Sequence, residues 1–360
     1  MEKFSIKTEL RSGAGAVASL AELGAKRVFL VTDPFFAKNG TAQRVADAAK
    51  AQAVEIFDQV EPDPTVELAA KGTARLREFG ADLVIALGGG SAMDCAKAMA
   101  WFAKGEYTFV AIPTTSGSGS EVTDFAVLTH GKVKHPLVDD KLRPDIAILD
   151  SDLLETMPKG LVADAGFDVL AHAVEAIGAR NAGQFSDMYA REAFRGAYGA
   201  LPASFAGRTE VRLKVHVAAA MAGIAFSQAG LGLCHALSHS LGGLFHVPPG
   251  RLNSINLPAV IGCNAHGGGK KYAELARAAG LGGSADTIAI RNLRSGLMRL
   301  RQDLELPQTL VQAGIPARDV WNRVGAIVKS TLEDPCCATN PVQPDDFLVR
   351  RILEEVTGRG

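Results

Sequence analysis

Three histidines that lie close together in the sequence are the first candidates for chemistry. His235 and His239 are four residues apart, so on a helix they share one face. His246 follows the Gly242-Gly243 pair, which predicts that this helix ends or bends there. Neutral imidazole is the commonest metal ligand in proteins and also carries protons near neutral pH. The cluster could therefore bind a metal or transfer protons, although half-buried histidines at a helix end would give the same pattern.

A carboxylate and another imidazole repeat this spacing further upstream. Asp168 and His172 are also four residues apart, in a segment with helical character. Taken alone, this pair could equally well be a surface ion pair. Taken together, the two clusters offer carboxylate and imidazole donors without a thiolate, a set that suits Fe(2+) or Zn(2+).

A glycine-rich turn after a predicted buried strand indicates a phosphate-binding site. The strand at 82–87 runs directly into Gly88–Ser91, and a helix opens at about Ala92. Glycine lets the backbone approach a ligand, and a helix N-terminus supplies N–H groups for phosphate. The spacing is not G-x-G-x-x-G, and the acidic residue that could bind a ribose, Asp33, precedes the glycines. A tight turn without a ligand is the alternative.

A second polar loop, at 114–123, follows the predicted strand at 109–113, and eight of its ten residues are Ser, Thr or Gly. Such a composition also occurs in linkers. Because this loop lies between two apolar stretches, we expect it instead to cover the phosphates and nicotinamide of a dinucleotide.

The order of predicted elements indicates two domains. Up to Asp150, strands and helices alternate, which predicts a parallel sheet with helices on both faces, as in Rossmann-like folds. After Gly160 the strand signal disappears and alanine-rich helical segments follow. We therefore expect a nucleotide-binding α/β domain at 1–158 and an all-α domain at 159–360. The predicted strands are 27–32, 54–60, 82–87, 109–113 and 146–149, and the predicted helices of the second half are 161–180, 185–198, 208–226, 231–241, 271–279, 287–303, 320–332 and 344–356.

Composition narrows the functional class. A net charge of −1 and the absence of a Lys/Arg run argue against nucleic-acid and anionic-membrane partners. The apolar run at 215–236 contains histidines and lacks charged flanks, which favours buried helices over a membrane span. Five cysteines without a framework spacing, and an N-terminus without an apolar core segment, indicate a cytoplasmic protein with reduced thiols.

Several motifs in a fixed order resemble the iron-dependent (group III) alcohol dehydrogenases. They are GGGS-x-x-D at 88–94, PTTSGSGSEVT at 113–123, D-x-x-x-H at 168–172 and H-x-x-x-H-x-L-G-G at 235–243, followed by Asp334 and Asn340-Pro341. The resemblance implies a dehydroquinate synthase-like fold with an active site in the cleft between an NAD-binding domain and a helical domain. The chain is most similar to the short propanol and ethanol dehydrogenases of diol and ethanolamine utilisation.

The resemblance also implies the residues that bind the coenzyme. Asp33 is expected to contact the adenosine ribose and to favour NAD over NADP, because a carboxylate repels a 2′-phosphate. The residues expected around the pyrophosphate are Gly89, Gly90, Ser91 and Asp94. Those expected along the rest of the dinucleotide are Thr114, Thr115, Ser118 and Thr123, with Val127 and Lys134 close by.

Members of this family bind one divalent metal, Fe(2+) or Zn(2+), through an aspartate and three histidines. His239 matches a histidine that lies near the metal and relays a proton, whereas the fourth ligand position is occupied by Pro249, which has no donor atom. The metal could be held by three protein ligands and water, His246 could substitute, or the metal could be lost. We prefer the first interpretation. The residues that match the first three ligands are Asp168, His172 and His235.

The implied function is an NAD(H)-dependent alcohol dehydrogenase for a short primary alcohol such as 1-propanol, in which the metal stabilises the alkoxide and His239 takes the proton. One alternative is a glycerol-dehydrogenase-like polyol oxidoreductase. Another is a metal-free structural or assembly subunit, which Pro249 keeps open. The resemblance alone implies a homodimer and an association with aldehyde-processing enzymes in a bacterial microcompartment. Side chains that could form a small apolar substrate wall, or equally core packing, are Phe167, Phe226, Leu231 and Phe245.

Overall fold

The computed structural model describes residues 4–131 and 133–358, and the chain divides into two compact units. One unit is Ser5–Met157, and the other contains the chain from Pro158 onward together with Phe4. The first unit is built on a parallel sheet, and the described part of the second has helices and no strand. The predicted fold class, an α/β domain followed by a helical domain, is confirmed.

The first unit contains one sheet of six parallel strands and a separate antiparallel hairpin. Its strands are β1 (Glu9–Gly13), β2 (Arg27–Val31), β3 (Ala53–Phe57), β4 (Leu83–Gly88), β5 (Thr108–Pro113), β6 (Phe125–His130), β7 (Val133–Val138) and β8 (Ile146–Asp150). The sheet order is β1-β8-β5-β4-β2-β3, and β6 pairs with β7. The helices that connect the strands are α1 (Pro34–Lys38), α2 (Thr41–Ala48), α3 (Val66–Phe79) and α4 (Gly90–Ala103).

The central strand β4 shows why this sheet is buried on both faces. Every residue of β4 is buried. Its alternate side chains enter two different hydrophobic clusters, with Leu83 and Ile85 in one and Val84 in the other. A strand covered on both faces reads as a continuous apolar run, as the segment before the glycines does.

The strand order reverses between β2 and β4. From β2 the chain continues to β3 on one side, then crosses back to β4 and builds the rest of the sheet on the other side. In open α/β sheets, ligands bind outside the carboxyl ends of the strands at such a reversal. The fold therefore directs attention to the residues that follow β2, β4 and β5.

The second unit consists of helices in its described part, with short 3₁₀ segments between them. The helices are α5 (Lys159–Gly178), α6 (Gln184–Phe205), α7 (Arg212–Ala229), α8 (Leu233–Phe245), α9 (Pro249–Ala278), α10 (Asp286–Asp303), α11 (Ala317–Asn322), α12 (Val324–Glu333) and α13 (Asp346–Thr357). No single described helix is long and apolar enough to cross a membrane. One pair, Thr209–Ala229 with Leu233–Phe245, reaches that length and composition only jointly and is bent by 104°.

Two sequence predictions about these helices are wrong. Helix α8 does not end or break at Gly242-Gly243 but continues to Phe245, and His246 caps it with a φ of 56°. The predicted helix at 271–279 is only the last part of the 30-residue α9, which passes through Pro258 and a glycine-rich stretch. In both places, residues that usually stop helices lie inside one because tertiary packing overrides local propensity.

Candidate active site

The carboxyl ends of three neighbouring strands bring the predicted coenzyme residues together. β4 lies between β2 and β5, in register with both. Asp33 follows β2, Gly88 ends β4, and Thr114 follows β5, where its backbone N–H donates to the Gly88 carbonyl at 2.9 Å. Because parallel strands end at the same edge of a sheet, these residues meet at the point where the strand order reverses.

The turn between β4 and α4 requires glycine at its first position and is closely packed at the next two. Gly88 has a φ of +147°, and a Cβ there would lie 2.7 Å from the Ala92 side chain. A Cβ on Gly89 would lie 3.3 Å from Thr115 Oγ1, and one on Gly90 would lie 3.5 Å from Ser118 Cβ. No side chain caps the α4 N-terminus, so its first N–H groups remain available for phosphate. We call this arrangement the cradle (Gly88–Ser91 with Thr115 and Ser118), and its shape and dipole fit a pyrophosphate.

Asp33 has a structural role that was not predicted from the sequence. Its Oδ1 accepts hydrogen bonds from the Phe35 and Phe36 N–H groups at 2.8 and 3.2 Å, so it caps α1. Its Oδ2 points towards the cradle and would lie 3.7 Å from a Cβ on Gly88. One carboxylate oxygen thus orients the side chain and leaves the other at the edge where a ribose is expected.

Three predicted coenzyme residues hold the loop that follows β5. Asp94 accepts hydrogen bonds from Ser120 Oγ at 2.8 Å and from the Val127 N–H at 3.0 Å. Thr123 is fully buried, and its carbonyl and hydroxyl oxygens both accept hydrogen bonds from Lys97. In the described structure, the side chains of Asp94 and Thr123 and the Val127 N–H therefore position the loop.

Lys97 was missed by the sequence analysis, although it lies three residues after Asp94 on α4. Its Nζ donates to the Thr123 and Phe125 carbonyl oxygens, both at 2.9 Å, and its residue is 1% exposed. Burial lowers its pKa to about 8, against the opposing effect of the Asp94 and Glu121 carboxylates. Burial also raises the pKa of Glu121 to about 7. The loop thus rests on a buried cluster of charged groups.

The remaining predicted coenzyme residue, Lys134, lies on the β6–β7 hairpin. Its Nζ forms an ion pair with Asp63 Oδ1 at 2.6 Å, and both side chains are about half exposed. That contact explains the lysine without a ligand. Thr114 is buried, and its hydroxyl has no hydrogen-bond partner among the described residues.

In the second unit, α5 and α8 bring the three predicted metal ligands together. One potential donor atom from each of Asp168, His172 and His235 lies within 4.8 Å of the other two. The two imidazole rings are nearly parallel, with centroids 4.5 Å apart. His235 Nε2 is buried, lies 3.6 Å from Asp168 Oδ1 and makes no hydrogen bond to a described residue. We call these residues the donor triad, and this buried nitrogen without a partner fits a metal ligand.

Glu175 holds His235 in the orientation that a ligand needs. Its Oε2 accepts a hydrogen bond from His235 Nδ1 at 2.7 Å, so in the neutral ring, the form that binds a metal, the lone pair is on Nε2. The same carboxylate accepts the backbone N–H groups of Gly232 at 2.9 Å and Cys234 at 2.6 Å, at the start of α8. Glu175 was not predicted from the sequence, yet a signal for it is present, since Asp168, His172 and Glu175 share one face of α5.

The start of α9 packs directly on the turn of α5 that carries Asp168. A Cβ on Gly250 would lie 2.0 Å from the Asp164 carbonyl oxygen and 3.2 Å from Asp168 Cβ. Arg251 forms a two-point ion pair with Asp164, and Asn253 Nδ2 donates to Asp168 Oδ1 at 2.7 Å. Pro249 therefore begins α9 one residue before the contact with the turn of α5 that carries Asp168.

The charges of the donor triad stabilise one another. Burial alone would raise the pKa of Asp168, but His172, His235 and Asn253 outweigh burial and lower it to about 2. Burial alone would lower the pKa of His235, but Asp168 and Glu175 outweigh it and raise the value to about 9. A cavity that stabilises a cation on His235 in this way is electrostatically prepared for a metal cation.

The other two histidines of the cluster occupy different environments. His239 lies one turn after His235 on α8, with ring centroids 6.2 Å apart, and 47% of its side chain is exposed. Its Nδ1 lies 2.9 Å from Asp334 Oδ2. His246 is exposed at the C-cap of α8 and is not among the donor atoms grouped with the triad.

Comparison with known proteins adds independent findings. Residues 7–151 match the family described as iron-containing alcohol dehydrogenase, and 162–357 match the Fe-containing alcohol dehydrogenase family, C-terminal. The chain is similar to a 1-propanol dehydrogenase of Citrobacter freundii, with 37% identity over 99% of this chain and 100% of that protein. It is also similar to an NADPH-dependent butanol dehydrogenase of Clostridium saccharobutylicum, with 35% identity over 98% and 97%. The iron-containing alcohol dehydrogenase structure from Thermococcus thioreducens matches with a TM-score of 0.90 and 32% identity, over 98% and 99% of the two chains.

Proposed function

Because this chain belongs to the iron-containing alcohol dehydrogenase family and is an NAD-dependent alcohol dehydrogenase, we propose that it interconverts short aliphatic primary alcohols and their aldehydes. The reference pair is 1-propanol and propionaldehyde. The observation that carries the proposal is the donor triad, in which Glu175 presents His235 Nε2 towards Asp168. The name of the Citrobacter freundii relative supports the substrate class.

The proposed metal is Fe(2+), with Zn(2+) as the alternative. One carboxylate and two imidazoles make up the donor set of many open Fe(2+) sites, and three protein ligands are also common in catalytic zinc sites. When bound, the metal would polarise the alcohol or aldehyde oxygen, and NAD would exchange the hydride. Pro249 leaves an additional coordination position to water or substrate.

His239 is the proposed proton carrier. Helix α8 places it one turn beyond His235, and Asp334 accepts its Nδ1–H, which leaves Nε2 to take the hydroxyl proton of an alcohol. Since half of the His239 side chain is exposed, the ring can pass that proton to solvent. In the reverse direction the same ring donates a proton to the oxygen of the reduced aldehyde. Asp334 acts as its positioning residue.

We propose that the pyrophosphate of NAD lies in the cradle. The α4 N-terminus and the small Gly88–Gly90 turn support this location. The free oxygen of Asp33 supports a preference for NAD, because it would repel the 2′-phosphate of NADP at short range. The loop held by Lys97 is proposed to lie along the remainder of the dinucleotide.

An aromatic side chain beside His172 supports an aliphatic substrate. The Phe226 ring stacks on His172 with centroids 4.5 Å apart. This ring offers no hydrogen bond to a second hydroxyl group, so a monohydric alcohol fits better than glycerol. A comparison of the rates with propionaldehyde and with glycerol as substrates therefore distinguishes this proposal from a polyol oxidoreductase.

The test is NADH oxidation with propionaldehyde by protein that is purified anaerobically, loaded with Fe(2+) and then stripped with a chelator. We expect activity to disappear on stripping and to return with Fe(2+) or Zn(2+). His172→Ala should lower kcat/KM by a factor of about 100 or more, since a metal site acts through several kcal/mol of charge stabilisation. His246→Ala is the matched control, because it removes an exposed imidazole just after the same helix as His235.

Two results would overturn the proposal. Faster turnover of glycerol than of 1-propanol would favour the polyol enzyme. No activity in any metal state, with NADH still binding, would favour a structural subunit without a functional metal site.

We also propose, from the family resemblance, a cytoplasmic homodimer that works beside aldehyde-processing enzymes of a bacterial microcompartment. Sedimentation equilibrium tests the dimer, and co-purification with shell-enclosed enzymes tests the association. A monomeric mass, or exclusion from purified compartments, would contradict the corresponding part.

A further inference from the structure

A second group of potential metal ligands lies next to the donor triad but shares no residue with it. His239 on α8, together with Asp334 and Cys336 at the turn after α12, places one donor atom from each residue within 4.8 Å of the others. We name His239, Asp334 and Cys336 the second triad. We propose that the second triad is a separate binding site for Zn(2+) and that its occupation blocks His239.

The donor types distinguish the two triads. The second triad combines a sulfur, an imidazole nitrogen and a carboxylate oxygen, whereas the donor triad contains no sulfur. Thiolate ligands select Zn(2+) over hard cations such as Mg(2+) and Ca(2+), and carboxylate–imidazole sets accept Fe(2+) well. Bond lengths of about 2.0–2.3 Å place the ligands of a tetrahedral zinc ion about 3.3–3.7 Å apart. The second triad therefore needs only small side-chain adjustments to surround a zinc ion.

Hydrogen bonds already hold the side chain of Asp334 in place relative to Cys336 and His239. Asp334 Oδ1 accepts the Cys336 N–H at 2.9 Å, which fixes the carboxylate relative to the cysteine. Asp334 Oδ2 lies 2.9 Å from His239 Nδ1, so both side chains converge before a metal arrives. Only 15% of the Asp334 side chain is exposed, against 47% of His239. A cation would thus enter past His239 and leave a fourth position for water, as in open zinc sites.

The thiol adds a requirement for a metal with high affinity for sulfur. A cysteine binds a metal as the thiolate, so a metal that occupies the second triad must displace the thiol proton of Cys336. Zn(2+) and Co(2+) can do so, whereas Mg(2+) and Ca(2+), which prefer oxygen ligands, have little to gain.

Occupation of the second triad has a consequence for activity. A metal ion there binds the imidazole that the proposed mechanism uses as a proton carrier, so that imidazole could no longer exchange the substrate proton. We therefore expect zinc to act in two ways, supporting activity at the donor triad and inhibiting it at the second triad. The inhibitory half of this inference rests on the proposed role of His239, and the binding half does not.

The binding test uses Co(2+) as a spectroscopic probe in chelator-stripped, anaerobic, full-length protein. The wild-type chain should bind a second equivalent with a thiolate-to-cobalt charge-transfer band in the near ultraviolet. Cys336→Ser should lose the band, and Cys337→Ser, which changes the adjacent cysteine outside the triad, should keep it. Since His239 is half exposed, His239→Ala should fold and should weaken the second equivalent by at least about tenfold. No band in the wild type, or equal loss in Cys336→Ser and Cys337→Ser, would overturn the site.

The activity test follows aldehyde reduction by the Fe(2+)-loaded enzyme as Zn(2+) is added, with each variant scaled to its own zinc-free rate. The concentration for half-inhibition should rise by about tenfold or more in Cys336→Ser and stay unchanged in Cys337→Ser. Equal inhibition of both variants would overturn the inhibitory half, because zinc would then act at the donor triad. If the protein shows the cobalt band but no dehydrogenase activity, the second metal site would be supported and the proposed function would be wrong.

Discussion

The cradle and the donor triad prepare for their ligands in opposite ways. The cradle is made mainly of backbone at the ends of neighbouring strands, and its shape depends most on the absence of a side chain at Gly88, with Gly89 and Gly90 packed closely against Thr115 and Ser118. The donor triad is made of side chains from two helices and depends on further carboxylate and amide groups behind them. Steric change should therefore damage the cradle most, whereas loss of a charge or hydrogen bond should damage the donor triad most.

The largest effect that would sharpen this comparison is expected from Glu175→Gln. The glutamine has almost the same volume, but one carboxylate oxygen is replaced by an NH2 group. Glu175 accepts hydrogen bonds from the N–H groups of Gly232, Cys234 and His235, and an NH2 group cannot accept them. We expect metal affinity to fall by a factor of about 10–100, as for other groups that orient metal-bound histidines. Competition with a chromophoric chelator measures this change, and NADH titration should show an unchanged Kd.

The matched control is Glu192→Gln, which removes a glutamate that pairs on the surface of α6 with Arg195. If Glu175→Gln and Glu192→Gln hold the metal equally well, the hydrogen bond to His235 is structural only. The donor triad would then be no more sensitive to the loss of a charge than the cradle is.

The next effect concerns the coenzyme side, where Lys97→Met removes a buried cation. The substitution leaves the Thr123 and Phe125 carbonyl oxygens without their donor and leaves Glu121 without its nearby positive charge. Unsatisfied buried groups cost about 1–3 kcal/mol each, so we expect the loop to loosen and the Kd of NADH to rise by about tenfold. Fluorescence titration measures it, and metal affinity should stay unchanged.

Lys104→Met, at the exposed C-terminal end of the same helix, is the control for Lys97→Met. Coenzyme binding that is as tight in Lys97→Met as in Lys104→Met would show that the buried charge cluster does not position the loop.

A gain of function is expected from Pro249→His. The close contact of Gly250 with α5 holds residue 249 beside Asp168, and an imidazole there would add a fourth protein ligand. Chelator-promoted metal loss should slow by a factor of about three to ten, because one water ligand is replaced. Pro248→His is the matched control, since it places the same side chain one residue earlier. Equal rates of metal loss in the two variants would mean that position 249 does not face the metal.

The two regions also differed in how well the sequence predicted them. The alternation of apolar strands and helices predicted β2, β4, β5 and β8, because buried parallel strands are continuous apolar runs. It missed β1, whose residues Glu9–Gly13 include only one large apolar side chain, Leu10, and that side chain is 43% exposed. An edge strand of this kind is specified by pairing with β8, which a local pattern does not reveal.

For the donor triad, helical spacing predicted which residues come together but not what holds them. Asp168 with His172, and His235 with His239, were visible because each pair repeats after four residues. Asn253 on α9 and Asp334 after α12 contact these pairs only through tertiary packing. The family resemblance implied that Asp94 lies at the pyrophosphate, and the structure adds that its carboxylate oxygens accept hydrogen bonds from Ser120 and the Val127 N–H.

The smallest expected effect is a change in the pH dependence of stability, which tests whether the buried Glu121 beneath the coenzyme loop titrates near pH 7. Burial raises the pKa of Glu121 to about 7, from 4.5 in the unfolded chain. Between these values the folded state binds the extra proton, so the contribution of Glu121 to the free energy of unfolding is present at low pH and is lost as the pH rises towards 7. As the pH rises through this range, the free energy of unfolding of the wild type should therefore fall relative to that of Glu121→Gln, by up to about 1.4 kcal/mol per pH unit.

Urea unfolding at pH 5, 6, 7 and 8 measures this slope, and the exposed Glu106→Gln should show almost none. Above pH 7 the difference should level off, because Glu121 is then ionised in both states. A difference that stays constant from pH 5 to pH 8 would mean that Lys97 keeps Glu121 ionised throughout. The loop beside the cradle would then depend on a fixed ion pair, as the donor triad depends on Glu175 and His235. The cradle and the donor triad would then differ only in their sensitivity to steric change.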